Sequence, residues 1–243
     1  VLAEGVTVIE PAAKEPEIQA LCDFLNLAGA RIEGKGSGRL IIHGVEKLTP
    51  VRFRVPADRI VAGTYMCACM CTGGSVFLKG APAQDMESVL ACAREMGAAV
   101  ECAADGILVT GPACERLPGV LKTGCYPAFP TDMQSPFMVT MAVSGHSGQI
   151  EEKVFENRFR IVPELLKMGA DISIRGNTAY ISGQGKLHGA IVQAEELRGG
   201  AALIVAALAA EGTSIVTNRH YIDRGYEDIV LHLRNLGADI EHA

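Results

Sequence analysis

The chain has 243 residues, 49% of them hydrophobic and 21% charged, enough for a cored protein of one large domain or somewhat more. Its formal net charge of −6, with no lysine- or arginine-rich run, argues against nucleic acid and against an anionic membrane as partners. A small anion held by a few local arginines or helix N-termini stays open.

In chain order, "VLAEGVTVIE" has no basic n-region or cleavage site, so it is not read as a signal peptide. It leads into a strand, an amphipathic helix that stops at "LAGARI" (27–32), and two strand-like pieces around "GKGSGRLIIHG". Asp58 opens an apolar helix containing "CACMC" (Cys67, Cys69, Cys71). Helical spacing turns Cys69 away from the other two, which disfavours a metal site; cysteine as a small hydrophobe in a reduced, cytosolic protein is the simpler reading. "DMESVLACAREMGA" (85–98) is the next amphipathic helix, followed by strands around "AADGILVTG". "AFPTDMQSPF" (128–137) sets one acid, Asp132, among prolines. The pattern returns with "MGADI" (168–172) and "IRGNTAYISG", then Glu196 and "AALIVAALAA" (201–210), which is too short for the roughly 20 residues that span a bilayer. "YEDIVLHLRNLGA" (226–238) and "LGADI" (236–240) close the series.

These similarities form two internal repeats. Gly29, Gly97, Gly169 and Gly237 recur at intervals of 68, 72 and 68 residues, each ending a helix before a strand. Asp58, Asp132 and Glu196 each stand 16 residues before a glycine (Gly74, Gly148, Gly212), with a helix between. The unit is helix, strand, helix, strand, strand, about 70 residues long. Three copies are nearly whole and one at the front (1–50) lacks its first helix, as though the chain were cut from a longer parent. Three equivalent helices would bring their positive N-terminal ends together and favour an anion. The same geometry offers the plainer reading that the three acids are helix caps. For Asp132, a capping box with Thr131 and Gln134 competes with a helix delayed by Pro136, which would leave the carboxylate exposed.

"FPTDMQ" (129–134), "FENRF" (155–159), "LRGGAAL" (197–203) and "IDRGYE" (222–227), with "EPEI" (15–18) and "PADRIVAGTY" (56–65), resemble the bacterial UDP-N-acetylglucosamine enolpyruvyl transferases over the whole chain. The related enzymes acting on shikimate 3-phosphate share the repeat architecture but not "FPTDMQ" or "FENRF". The resemblance implies an α/β fold, an inside-out barrel of βαβαββ units with helices inside and sheets outside. Residues 1–56 would be the last unit of one domain and 57–243 most of a second. It implies cytoplasmic transfer of the enolpyruvyl group from phosphoenolpyruvate to the 3′-hydroxyl of UDP-N-acetylglucosamine, releasing phosphate, at the first committed step of peptidoglycan synthesis. No metal or cofactor is implied.

By the same resemblance, Asp132 is the base facing the sugar hydroxyl, and Arg198 and Arg224 bind the phosphoenolpyruvate side. The backbone of Val154 contacts the nucleotide sugar, with Phe155 and Arg158 shaping that wall. The competing readings are surface ion pairs, such as Arg224 with Asp223 or Glu227, and core packing for Phe155. Glu15, Glu17, Asp58 and Arg59 match family positions and read as interdomain or capping residues. Glu196 stands where the family usually has aspartate, and Pro11 replaces an asparagine. The N-terminal portion of the family, with its substrate-binding lysine, asparagine and arginine and its proton-donating loop cysteine, has no counterpart here, and none of the eight cysteines is assigned that role. A fragment with little activity alone is therefore expected, its missing portion being a partner. A paralogue using another acceptor and a non-catalytic repeat module are the alternatives.

Overall fold

Four helices stop in the same way, and that stop sets the period of the fold. Gly29, Gly97, Gly169 and Gly237 adopt φ of 87° to 102°, a left-handed conformation that costs a side-chain-bearing residue about 1–2 kcal/mol. The next residue, always alanine, donates its N–H back to the carbonyl of Leu25, Ala93, Leu165 or Leu233 at 2.9–3.1 Å. These are Schellman closures, and they turn each chain into a following extended segment.

The structure, a computed structural model, describes residues 1–111, 119–183 and 185–242; Cys114 lies outside them. The first copy runs β1 (Val6–Ile9), α1 (Pro16–Leu27), β2 (Arg31–Glu33) and β3 (Leu40–His43). The second adds a leading helix: α2 (Arg59–Thr72), β4 (Gly74–Lys79), α3 (Glu87–Glu95), β5 (Ala99–Ala103) and β6 (Gly106–Gly111). The third has β7 (Leu121–Lys122), α4 (Gln134–Val143), β8 (Ser147–Glu151), α5 (Val162–Lys167), β9 (Asp171–Arg175) and β10 (Thr178–Ser182). The fourth has β11 (Leu187–His188), β12 (Ile191–Gln193), α6 (Leu197–Ala209), β13 (Ala210–Glu211), β14 (Ile215–Thr217) and α7 (Ile229–Asn235).

The sheets repeat one topology: β1-β3-β2, β4-β6-β5, and β8-β10-β9 with β7 added beside β8. In each, the last strand lies antiparallel between two strands joined by a helix, a split βαβ unit. The fourth copy departs from the sequence expectation. "ADI" after Gly237 forms no strand, because no central strand exists among the described residues to pair with it. The Ile240 carbonyl is taken instead by the Arg234 guanidinium, from Nε at 2.9 Å and Nη2 at 2.7 Å. What remains are the parallel pairs β11–β13 and β12–β14.

By internal packing the chain divides into one unit of Val1–Ala57 with Cys125–Ala128 and another of Asp58–Gly124 with Phe129–Ala243. In the larger unit α2, α4 and α6 pack on one another. Ten residues of α2, nine of α4 and eight of α6 are buried, so these helices are apolar around most of their circumference, while α3 is amphipathic. Helices at the centre with sheets around them make the inside-out arrangement. The cysteines of α2 split as helical spacing requires: Cys69 Sγ faces the sheet carbonyls of Gly74 and Val109, and Cys71 Sγ faces Thr140 of α4. Among the described residues no group of three or more metal-ligating side chains occurs.

The smaller unit is thinly cored. Ala12, Cys22, Ala30, Ile32 and Leu40 form its buried cluster, and α1 buries only Cys22. Val6, Val8, Leu21 and Leu27 stay exposed, an apolar surface larger than so small a core can cover. The Glu10–Pro11 peptide there is cis, and Glu15 accepts the Tyr126 N–H at 3.3 Å.

Candidate functional site

Three acids at equivalent repeat positions end in two different roles. Asp58 caps α2, its Oδ1 accepting from the Ile60 and Val61 N–H groups at 2.8 and 3.0 Å. Glu196 caps α6, accepting from the Arg198 N–H at 2.8 Å and from the Gly199 N–H. The longer glutamate side chain is accommodated by Gly199: a Cβ there would lie 2.6 Å from Glu196 Oε1. The positive ends of α2 and α6 are thus met by carboxylates, so the capping reading holds for Asp58 and Glu196.

Asp132 does not cap. The α-helix starts two residues later, at Gln134, and Asp132 lies in a 3-10 turn over Thr131–Met133 with no side-chain cap at α4. Pro136 falls in the first turn of α4, where its missing N–H leaves nothing unpaired. The capping box does not form: the Thr131 hydroxyl donates to Glu152 Oε2 at 2.9 Å, and Gln134 Oε1 accepts from the Ser135 hydroxyl. Phe129, packed edge-on against Phe137 with centroids 5.0 Å apart, anchors the turn from below.

The freed carboxylate is gripped by two guanidinium groups. Arg158 Nη2 donates to Oδ1 at 2.6 Å and Arg198 Nε donates to Oδ2 at 3.1 Å. The aspartate side chain is 36% exposed, the arginines 20% and 13%, so the cluster lies at the edge of solvent rather than in the core. One negative and two positive charges leave a local excess of +1 in a protein of net −6. Arg158 Nε and Arg198 Nη1 are buried and find no partner among the described residues. Unspent guanidinium donors are unfavourable unless a ligand or water meets them.

Arg198 leans on Tyr226, its Cζ 5.9 Å from the ring centroid, and the phenol oxygen is 2.7 Å from Thr64 Oγ1 of α2. Burial acts to lower the Arg198 pKa, but the Tyr226 phenol and the Asp132 carboxylate outweigh it and hold it above its usual value. Burial pushes the Tyr226 phenol up in turn, with Thr64 and Arg198 offsetting part of that. Packing thereby holds Arg198 in register with Asp132.

The other predicted residues fall as follows. Phe155 is 56% exposed, which rules out core packing, and Arg158 Cζ lies 5.4 Å from its ring. The Val154 N–H donates to Glu152 Oε1 at 2.8 Å, so any backbone contact from Val154 to a ligand falls to its carbonyl. Arg224 is exposed and makes no ion pair among the described residues; Asp223 is taken by Arg219 at 2.9 Å. The segment carrying Arg224 packs on the first turn of α6, since a Cβ on Gly225 would meet Leu197 at 2.9 Å and one on Gly200 would meet Ile222 at 2.8 Å. Asp132, Arg158 and Arg198 are therefore brought together, with Val154 and Phe155 beside them, while Arg224 stands outside the hydrogen-bonded cluster. Sequence reasoning missed Glu152, gave Thr131 a capping role it does not have, and passed over Tyr226 inside the very motif, "IDRGYE", that pointed to Arg224.

With this geometry in view, comparisons with known proteins are specific. The family model described as EPSP synthase (3-phosphoshikimate 1-carboxyvinyltransferase) matches residues 1–233. A UDP-N-acetylglucosamine 1-carboxyvinyltransferase of Sphingopyxis alaskensis is 48% identical over 99% of this chain and 56% of its own length. A UDP-N-acetylglucosamine 1-carboxyvinyltransferase 3 of Caldanaerobacter subterraneus subsp. tengcongensis is 47% identical over 99% of this chain and 57% of its own. The chain thus spans a little over half the length of these relatives. Among solved structures, the enolpyruvyl transferase NikO from Streptomyces tendae superposes with a TM-score of 0.89 at 26% identity, covering 100% of this chain and 58% of that one. EPSP synthase from Acinetobacter baumannii, at 18% identity and a TM-score of 0.74 over 99% of this chain and 58% of its own, shows the shared fold. The chain belongs to the EPSP synthase family of 1-carboxyvinyltransferases, and within it is similar to the C-terminal portion of the UDP-N-acetylglucosamine enzymes.

Proposed function

We propose that this chain supplies one side of the site of an enolpyruvyl transferase, which moves the enolpyruvyl group of phosphoenolpyruvate to the 3′-hydroxyl of UDP-N-acetylglucosamine and releases phosphate. The observation that carries the reading is Asp132: alone among the three repeat acids it is kept off capping duty and held by two arginines. A sugar hydroxyl is a weak nucleophile near neutral pH. A carboxylate at hydrogen-bonding distance takes its proton as the new C–O bond forms, a contribution typically worth about 10²–10⁴ in rate.

Phosphoenolpyruvate carries a carboxylate and a phosphate. Each guanidinium spends one donor atom on Asp132, so an anion beside the pair can be met by their remaining N–H groups without releasing the base. Arg224, free of ion pairs among the described residues, adds a third cation, and the exposed Phe155 with the Val154 carbonyl forms the acceptor side. In this reading residues 1–56 are the last unit of a first domain and 57–243 the second, and the remaining N-terminal portion of the enzyme completes the site and brings the proton donor for the enolpyruvyl carbon. The reaction would lie in the cytoplasm at the start of peptidoglycan synthesis, where no membrane crossing is needed; no helix among the described residues is long and apolar enough for one.

The test is Asp132→Asn in an enzyme completed with the N-terminal portion of a relative. Asparagine keeps one oxygen for an arginine but cannot take a proton. The expected fall in kcat is about 10²–10⁴ with little change in the KM for phosphoenolpyruvate. An unchanged kcat removes Asp132 from the role of base.

A further inference from the structure

We propose that Glu152 is the positioning residue that fixes the distance between Asp132 and the 154–158 turn; this rests on the reading of Asp132 as the base. Glu152 follows β8 and is 3% exposed, so it is out of reach of a substrate in the site. Its carboxylate takes three donors from two segments. Oε2 accepts from the Thr131 hydroxyl at 2.9 Å, and Oε1 accepts from the N–H groups of Val154 at 2.8 Å and Phe155 at 3.1 Å. Its backbone is anchored as well: the N–H donates to the Asn177 carbonyl at 2.8 Å, and its carbonyl accepts from Asn177 Nδ2 at 3.0 Å. The adjacent Lys153 N–H donates to Thr123 Oγ1 at 2.9 Å.

These bonds close a ring. From Thr131 the chain passes to Asp132, whose carboxylate meets Arg158; Arg158 leads back along the turn to Val154 and Phe155, and Glu152 joins their amides to Thr131. Glu152 and the Asp132–Arg158 pair are the two clasps of that ring. The base thus has its spacing to the proposed acceptor wall set by a buried group that touches neither substrate. Only a carboxylate offers acceptors to all three donors at once. Glutamine keeps an oxygen for the two amides and turns an NH2 toward Thr131, whose hydroxyl oxygen can accept, so it should preserve the spacing. Alanine removes both links, and Thr131→Val removes only the one to the base.

Two measurements decide it. In the 243-residue chain, amide hydrogen exchange compares wild type with Glu152→Ala; faster exchange at Val154 and Phe155, with a shifted Arg158 Nε signal, is expected, and unchanged exchange overturns the proposal. In the completed enzyme, a displacement of about 1 Å predicts a kcat fall near 10²-fold for Glu152→Ala. The acceptor KM should rise, the phosphoenolpyruvate KM should hold, and Glu152→Gln should stay within about tenfold of wild type. A merely structural carboxylate would lower the melting temperature and leave kcat and both KM values per folded molecule unchanged, which overturns the proposal. If Glu152→Ala does not fold, Thr131→Val decides: a lower kcat at unchanged melting temperature supports the clasp, and wild-type kinetics refute it. Should Asp132→Asn keep full activity, the base reading falls, while the exchange result still decides whether Glu152 fixes the turn.

Discussion

Replacing Asp132 by alanine should weaken the larger folded unit in a measurable and salt-dependent way. The substitution leaves Arg158 and Arg198, 20% and 13% exposed, facing each other across the space of the lost carboxylate. Removing one partner of a fully buried pair costs about 3–5 kcal/mol, whereas an exposed pair contributes about 0–1 kcal/mol. Asp132 is 36% exposed and its arginines considerably less, so the cost falls between these limits, at about 2–3 kcal/mol. With a urea slope of about 2 kcal/mol per molar, the midpoint should move down by about 1–1.5 M. Added salt should narrow the gap, because it screens the two cations. Circular dichroism of the wild-type and Asp132→Ala chains in urea, at low and high salt, reads all of this. A midpoint that is unchanged or raised would mean that the carboxylate does not neutralise the pair, and the geometry drawn for the site would be refuted.

The remaining predictions are simpler. Gly237→Ala meets open space but keeps φ at +99°, so it should cost about 1–2 kcal/mol by conformation alone, read as a lowered urea midpoint. Thiol reagents at neutral pH should label the exposed Cys102 and Cys125 quickly and spare Cys67 and Cys92, whose burial pushes their thiols up, Cys92 to about 12. Because the folded value for Cys92 lies above that of the unfolded thiol, the unfolded chain loses its proton first as pH rises. Its contribution is complete below about pH 8.5 and fades toward pH 12, at up to about 1.4 kcal/mol per pH unit in between, and urea midpoints across that range check the sign. In the completed enzyme, Arg198→Lys keeps the charge but loses the planar fork, so kcat/KM for phosphoenolpyruvate should fall about 10–100-fold; wild-type kinetics would exclude a bidentate role.

Most of the repeat was legible because backbone geometry imposes it on the sequence. A residue with φ near +90° at each Schellman closure is glycine for steric reasons, so Gly29, Gly97, Gly169 and Gly237 mark the units before any coordinates are seen. The helix starts were legible in part. An acid sits at each, but whether it caps depends on where the α-helix begins, and only Pro136 hinted that the third differs. The partners of Asp132 were not legible as partners: Arg158 and Arg198 lie 26 and 66 residues away, and only tertiary packing joins them. Glu152 was invisible for a related reason, since a charged residue after a strand looks solvated until its backbone is found pinned by Asn177. The missing strand after Gly237 shows the limit of the repeat argument, because a strand-like sequence makes no ladder without a neighbour.

The most direct test of the central claim is phosphate release from phosphoenolpyruvate and UDP-N-acetylglucosamine, measured for this chain alone and after addition of the N-terminal portion of a relative. The 243-residue chain should release none, and the combination should release phosphate only with the acceptor present, a release abolished by Asp132→Asn. Release by the chain alone, or a combination indifferent to the acceptor, would contradict the claim.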